Sequence, residues 1–241
     1  GKMLFCNAYD LQHVTNELED KAAVSKAALA FAPEFPAAIT PIASATPSTG
    51  VQLVLLGLGS RWMQYEQTPH NVGQKAVDLL ASGYGIEWHS EGELAAQAQL
   101  ASVERDRLRV CLLKLLTPMN HAGATLARLA PTLGLDLRHL VVLHDDLDLP
   151  LETVRVRMRG GDGGHRGLQS IMEAYQDDKF RRIKIGVGRP PEGTGVLDYV
   201  ISPFAAERQQ AAQAAVQHAA ERALELIRLE IKGRRPRPVA H

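Results

Sequence analysis

His70 is the residue in this sequence best suited to act as a general base. An apolar run over residues 53–58 ends among glycines, which predicts a buried strand that turns sharply at its carboxyl end. About ten residues later, His70 precedes a helical pattern that includes Val77 and Leu80. Ligands of open α/β sheets bind at the carboxyl ends of the strands. An imidazole there titrates near neutral pH and can take a proton from water.

Asp145 is the candidate partner of His70. A second apolar strand is predicted over residues 140–143, and the acidic sequence HDDLD follows it directly. A carboxylate at the end of this strand could accept the second N–H of the imidazole, fix its tautomer and stabilise its charged form. From the residues alone, a solvated turn is an equal alternative for Asp145.

Metal and cofactor sites have weaker support. The acidic cluster that begins at His144 offers oxygen ligands for Mg²⁺, but no other residues supply ligands at a suitable spacing. Gly57-x-Gly59 is similar to the start of a dinucleotide-binding fingerprint, but Trp62 stands where the third glycine would be. We therefore expect neither a metal nor a cofactor.

The sequence TPMN offers an oxyanion donor and an apolar substrate contact. The side-chain amide of Asn120 could donate to the oxyanion formed when water attacks an ester carbonyl. Met119 could line the channel for the acyl group with a pliable side chain. Asn120 could equally cap the helix predicted over residues 122–129.

Basic residues are expected on one face of a strand over residues 153–158. Valines alternate there with arginines, which puts Arg155 and Arg157 on the same side. With Lys184 and Arg189 they could form a surface for nucleic-acid phosphates, although a solvated strand face is an equal alternative. The glycine-rich segment GGDGGHRG is predicted to be flexible and could approach a phosphate or a peptide backbone closely.

The elements that must position these residues alternate between strands and helices. Further strands are predicted over residues 94–103, 108–116 and 183–187, and helices over 72–81 and 167–175. Ser202-Pro203 followed by Glu207 predicts the start of a last helix that runs towards Ile231. Pro131 is expected to kink or end the helix that begins at Ala122. Such alternation predicts one α/β domain over residues 51–231, with a mixed, mainly parallel sheet flanked by helices on both faces.

Composition limits the remaining possibilities. The 241 residues contain 27 basic and 27 acidic side chains, so a nucleic-acid surface must come from local clustering. No apolar run approaches the roughly 20 residues of a membrane span. Two cysteines with no CxxC pattern indicate a reducing compartment, mitochondrial or cytoplasmic, and the chain shows no clear targeting segment. Residues 1–50 are predicted to be an extension with a proline-containing linker, and residues 232–241 a basic tail.

The motifs resemble those of the bacterial-type peptidyl-tRNA hydrolases. GLGS, T-P-H-N-x-G, TPMN, HDDLDLP and GGDGGHRG occur in the family's order between about Val51 and about Ala223. The resemblance implies metal-independent hydrolysis of the ester between peptide and tRNA, which recycles peptidyl-tRNA from stalled or abortive translation. His70 would be the base, Asp145 its orienting partner and Asn120 the donor to the oxyanion.

The resemblance also implies contacts to both halves of the substrate. The predicted substrate contacts are Ser60, Tyr65, Asn71, Met119 and Arg166, and the predicted tRNA contacts are Arg155, Arg157, Lys184 and Arg189.

The sequence departs from the family pattern at four places. Ser60 and Arg166 stand where the family has asparagines, Arg61-Trp62 replaces a Pro-Gly pair, and Pro69 replaces an arginine. A serine is shorter than asparagine, and an arginine has no acceptor. Two hypotheses follow: a slowed or re-tuned hydrolase, or a catalytically impaired paralogue that acts as an RNA-binding or ribosome-associated component tethered by residues 1–50.

Overall fold

The apolar run at residues 53–58 forms the middle of a mixed sheet in this computed structural model. The structure describes residues 40–41, 51–90, 96–105 and 108–234. Most of the predicted extension and the tail beyond residue 234 therefore lie outside the described residues. The strands are β1 (Thr40–Pro41), β2 (Val51–Gly57), β3 (Ala98–Arg105), β4 (Leu108–Leu115), β5 (Leu140–Asp146), β6 (Val154–Arg157) and β7 (Arg181–Gly186).

The four central strands of the sheet are parallel. The order is β1-β3-β4-β2-β5-β7-β6, and β2 pairs in parallel with both β4 and β5, as β5 does with β7. The outer pairs β1–β3, β3–β4 and β6–β7 are antiparallel. The carboxyl ends of β2, β4, β5 and β7 consequently meet at one edge of the sheet, where ligands bind in such folds.

Helices cover both faces of this sheet, as the alternation of elements predicts. They are α1 (Val72–Tyr84), α2 (Ala122–Leu133), α3 (Arg166–Tyr175), α4 (Val196–Ile201) and α5 (Ala206–Arg234). Leu53 and Leu55 of β2 pack into a core with α1 and α5, while Val54 and Leu56 pack into a second core with α2 and α3. Strand residues alternate between faces, so a fully apolar strand must be covered on both sides.

Some predicted element boundaries were wrong. Strand β3 starts at Ala98 because residues 96 and 97 form a turn. Strand β5 does not stop at residue 143, since His144, Asp145 and Asp146 continue the parallel ladder with β7. Helix α5 also continues past the predicted domain end at residue 231 to Arg234.

Pro131 does not end helix α2, which continues to Leu133. A proline lacks its own N–H, so this residue forfeits one hydrogen bond in the last turn. Gly134 then takes the left-handed conformation at φ 58°, and its N–H is directed at the carbonyls of Ala130 and Pro131. The C-cap at Gly134 thus ends the helix.

The described part of the chain contains no helix long and apolar enough to cross a membrane.

A close backbone approach joins the start of α1 to the ends of β2 and β5. The Leu58 N–H donates to the Leu143 carbonyl at 2.9 Å, and the Gln74 N–H donates to the Leu58 carbonyl at 3.2 Å. A Cβ on Gly73 would lie 2.3 Å from the Leu143 oxygen and 2.6 Å from the Leu58 oxygen. Only glycine therefore lets α1 approach the strand ends this closely.

We expect Gly73→Ala to lower the free energy of unfolding by about 1–3 kcal/mol, because overpacking forces backbone shifts. Urea unfolding measures the change. Gly161→Ala is the control, because its Cβ would meet no atom within 4 Å; it should stay within about 0.5 kcal/mol of the parent. Equal stability of the two variants would contradict the close approach at Gly73.

Candidate active site

His70 and Asp145 meet at the carboxyl edge of the sheet. His70 lies in a 3-10 turn, Pro69–Asn71, which leads into α1, and Asp145 is the penultimate residue of β5. The Nδ1 atom of His70 lies 3.0 Å from Oδ1 of Asp145, so the expected hydrogen bond is present. An ionised carboxylate only accepts, so Nδ1 carries the proton and Nε2 keeps the lone pair that a base needs.

His165 is a member of the site that the sequence reasoning missed. Its Nε2 lies 3.1 Å from the same Oδ1 of Asp145, and its side chain is buried. Its Nδ1 accepts the N–H groups of Gly167 at 3.1 Å and Leu168 at 3.4 Å, which makes His165 the N-cap of α3. Two donors directed at Nδ1 put the lone pair there, so Nε2 carries the proton and donates to Asp145.

His144 is the third histidine next to Asp145. Its ring meets His165 edge-on with centroids 5.2 Å apart, and the rings of His70 and His165 are 5.0 Å apart. The His144 Nδ1–H donates to the Asp145 carbonyl at 2.7 Å, while Nε2 has no partner among the described residues. Burial, followed by the nearby His165, lowers the pKa of His144 to about 3. His144 is therefore neutral, and its ring packs against His165.

Burial and hydrogen bonding act in opposite directions on the charges of His70 and Asp145. Burial raises the pKa of Asp145, but His165 and His70, which both donate hydrogen bonds to the carboxylate, outweigh burial and hold this pKa far below its usual range. Burial also disfavours the His70 imidazolium, but Asp145 outweighs it, so the pKa of His70 is raised. The positive charge of Arg166 opposes that rise. Asp145 thus stays ionised and strengthens His70 as a base.

Arg182 anchors the glycine-rich segment that carries His165. The Arg182 side chain is buried, and its Nη1 donates to the Gly161 carbonyl at 2.6 Å. Its guanidinium carbon also lies 4.4 Å from the centre of the Phe180 ring. The segment that the sequence predicts as flexible is held at this point by a buried side chain of β7.

Asn71 and Ser60 are joined to each other. The Ser60 N–H donates to the Asn71 Oδ1 at 2.5 Å, and the Asn71 Nδ2 donates to the Ser60 carbonyl at 3.0 Å. Asn71 is 5% exposed and its amide is bonded to the Ser60 backbone, so its role as a substrate contact stays a prediction. Ser60 is half-buried beside the cleft, and its hydroxyl accepts the Trp62 N–H at 3.4 Å.

Tyr65 lies in the turn that precedes His70. Its carbonyl accepts the Thr68 hydroxyl at 2.6 Å, and its own side chain is half-buried. No described contact joins the Tyr65 ring to the histidines, so its role as a substrate contact stays a prediction.

Met119 and Asn120 share a 3-10 turn, Met119–His121, after β4. A Cβ on Gly167 would lie 2.6 Å from the Met119 sulfur, so Met119 packs against the turn that caps α3. The Asn120 side chain is exposed, and the main-chain carbonyl of Asn120 accepts the Ser170 hydroxyl at 2.9 Å. His121 holds the N-cap position of α2, and no side-chain cap is described there, so helix capping does not account for Asn120.

Two carboxylates of the acidic cluster have basic partners, Asp146 at the end of β5 and Asp148 in the turn that follows. Lys184 lies 2.5 Å from Asp146, and Arg189 pairs with Asp148. The four predicted tRNA contacts therefore differ: Lys184 and Arg189 are paired, whereas Arg155 and Arg157 are exposed on the edge strand β6. The unpaired positive charge of this surface comes from β6.

A second possible metal site is excluded by the tautomer of His165. His70, Asp145 and His165 each offer one ligand-type atom, and these atoms lie within 4.8 Å of one another. However, His165 points its protonated Nε2 at this centre, because Nδ1 accepts the helix N–H groups. A protonated nitrogen has no lone pair for a metal.

We expect the NMR titration of His70 to respond in opposite directions to two substitutions. Asp145→Asn should lower the pKa of His70, because burial then acts without the opposing carboxylate. Arg166→Gln should raise that pKa, because a nearby positive charge is removed. Arg138→Gln, at the opposite end of β5, is the control and should leave the titration unchanged. If both substitutions shifted the pKa of His70 in the same direction, the opposing effects of Asp145 and Arg166 described here would be wrong.

Comparisons with known proteins agree with this geometry. The family model described as peptidyl-tRNA hydrolase matches residues 54–235. The peptidyl-tRNA hydrolase of Persephonella marina is 37% identical over 185 residues, which cover 73% of this chain and 92% of that protein. The peptidyl-tRNA hydrolase of Moorella thermoacetica is 43% identical over 152 residues, or 63% of this chain and 78% of that protein.

The fold is similar to that of a solved structure. The crystal structure of peptidyl-tRNA hydrolase from Acinetobacter baumannii superposes with a TM-score of 0.67 at 26% identity, covering 78% of this chain and 94% of that one. The family match spans well over half of the chain and includes His70, Asp145 and His165. This chain belongs to the peptidyl-tRNA hydrolase family.

Proposed function

We propose that this protein hydrolyses the ester that joins a peptide to the 3′ end of tRNA. The observation that carries the proposal is the hydrogen-bonded chain from His70 through Asp145 to His165, at the ligand-binding edge of the sheet. A member of the peptidyl-tRNA hydrolase family with a buried carboxylate behind a partly exposed histidine has the groups needed to activate water.

In the proposed mechanism, His70 acts first as a base and then as an acid. Its Nε2 takes a proton from water as the water oxygen attacks the ester carbonyl. Asp145 stabilises the imidazolium that forms, and His165 holds the accepting oxygen in place. The imidazolium then protonates the departing ribose oxygen. The products are tRNA with a free hydroxyl group and a peptide with a carboxylate.

Two exposed groups are proposed to meet the negative charge that develops on the carbonyl oxygen. Asn120 is exposed on the turn after β4, and Arg166 is exposed at the first position of α3. An amide or a guanidinium directed at a developing oxyanion lowers the barrier, and loss of one such donor costs on the order of 10²–10³ in rate. Arg166 also lowers the pKa of His70, which keeps more of the base unprotonated near neutral pH.

We expect His70→Ala to abolish release of tRNA from N-acetylaminoacyl-tRNA while leaving tRNA affinity within about twofold, because a base acts mainly in the transition state. The measurement is single-turnover ester cleavage beside a filter-binding titration. His218→Ala, an exposed histidine on α5, is the control and should retain full activity.

Two results would count against the enzyme. Undiminished cleavage by His70→Ala would remove this residue from the mechanism. An inert parent protein that still binds tRNA would favour the RNA-binding hypothesis. For an active parent, the rate should rise with pH through the raised pKa of His70, and Arg166→Gln should move that rise to higher pH.

The proposed tRNA surface is the edge strand β6. Arg155 and Arg157 are exposed on one face of this strand, and the register pairs Arg155 with Lys184. Each arginine that neutralises a phosphate releases counterions, so affinity falls as salt rises.

We expect Arg155→Ala to reduce the slope of log affinity against log salt by about one unit, and the double variant with Arg157→Ala by about two. Fluorescence anisotropy with labelled tRNA at several salt concentrations measures both slopes. Arg138→Ala is the control: Arg138 is exposed and ion-paired to Asp136, and it lies before the amino end of β5. A slope unchanged in the double variant would exclude β6 from the contact.

A further inference from the structure

A small apolar pocket opens between two loops at the carboxyl edge of the sheet. Residues 60–62 form one wall and residues 116–119 form the other, around a volume of about 80 Å³. Leu116, Pro118 and Met119 give the second wall an apolar surface. The Thr117 hydroxyl is bonded to that of Thr125 at 2.9 Å, so it has a partner already.

Trp62 is the most unusual part of this pocket. Its side chain is 56% exposed, although the indole is the largest apolar group a protein can bury. The guanidinium carbon of Arg61 lies 4.4 Å from the centre of the ring and steadies it from one side. An apolar ligand bound between the exposed indole and the apolar wall would remove both surfaces from water, which favours binding.

The two walls are tied to opposite sides of the histidine cluster. Ser60 is bonded to Asn71, the residue after His70. The Met119 sulfur packs against Gly167, and the N–H of Gly167 donates to Nδ1 of His165. The pocket is therefore joined to the histidine cluster on both sides, through Asn71 on one wall and through Gly167 on the other.

We propose that the pocket binds the side chain of the amino acid that is esterified to the tRNA, and that Trp62 makes the protein favour apolar side chains there. This proposal rests on the ester hydrolysis proposed above. The size of the pocket supports a side chain over a nucleobase. A closed cavity of about 150 Å³ holds one benzene ring, so a pocket of about 80 Å³ suits a short aliphatic chain better than a purine.

The polarity of the pocket supports the same occupant. A nucleobase would bring several donors and acceptors to its edges, and each one left unpaired would weaken binding. The polar side chains that line the pocket are Arg61, whose guanidinium lies against the Trp62 ring, Ser60, whose hydroxyl accepts the Trp62 main-chain N–H, and Thr117, whose hydroxyl is bonded to Thr125. A leucine-like side chain needs no such partner and would cover the indole.

The test compares two esters on the same tRNA, N-acetyl-leucyl and N-acetyl-glycyl. We expect the parent protein to favour the leucyl ester in kcat/KM by on the order of tenfold, as apolar pockets do for a few methylene groups. Trp62→Ala should reduce the preference to about twofold, chiefly through slower leucyl cleavage. Leu229→Ala, which removes an exposed apolar side chain on α5, is the matched control and should keep the preference.

A second measurement does not require turnover. Analogues that join N-acetyl-leucine or N-acetyl-glycine to 3′-amino-adenosine through an amide resist hydrolysis. In a Trp88→Phe background Trp62 is the remaining tryptophan of the two in the chain, so its fluorescence reports binding. We expect the leucyl analogue to change the emission at a concentration about tenfold lower than the glycyl analogue.

The outcomes separate this proposal from the proposed function. Cleavage of both esters with no preference, and no difference between the analogues, would overturn the pocket assignment and leave the hydrolase intact. An equal loss with both esters in Trp62→Ala would overturn it in favour of stacking on the terminal base. A preference between the analogues in a protein that cleaves neither ester would support the pocket and refute the hydrolase.

Discussion

The site depends on one carboxylate oxygen that accepts two imidazole N–H groups inside the protein. Oδ1 of Asp145 takes one bond from His70 at 3.0 Å and one from His165 at 3.1 Å. Isolating a carboxylate from water costs several kcal/mol unless partners replace the lost hydration. His165 is therefore as necessary as His70, since it keeps Asp145 charged while His70 exchanges its own proton. The cap that His165 makes on α3 connects that requirement to the helix itself.

The fold and half of the site were predictable because they follow from local patterns. The apolar run of β2 and the acidic end of β5 indicate parallel strands, and parallel strands bring their carboxyl ends together. That reasoning was sufficient to pair His70 with Asp145. His165 was not predicted, because a histidine is not a typical N-cap and its second bond is made to a residue 20 positions away.

Several pairings of side chains were not predicted, because the partners lie on another element. Lys184 and Arg189 are as basic as Arg155 in the sequence, but acidic side chains next to Asp145 meet them in space. Asn71 has the polarity of a substrate contact, but both ends of its amide bind Ser60 across the cleft wall. Pairing of this kind depends on the register of strands and the path of loops. Neither is encoded in the type of a single residue.

The backbone contacts at Gly73 bear on how this site can evolve. Helix α1 holds His70 from the carboxyl side, through the bond from Gln74 to Leu58 and the approach of Gly73 to Leu143. Residues 61–66, on the amino side of His70, are mostly exposed, and this loop is tied down at its two ends, by Ser60 to Asn71 and by Gln67 to Phe204. They can therefore diverge as an exchangeable loop while the base keeps its place. On the proposed role of Trp62, a substitution in this loop changes the acyl-group preference and leaves the groups that activate water in place.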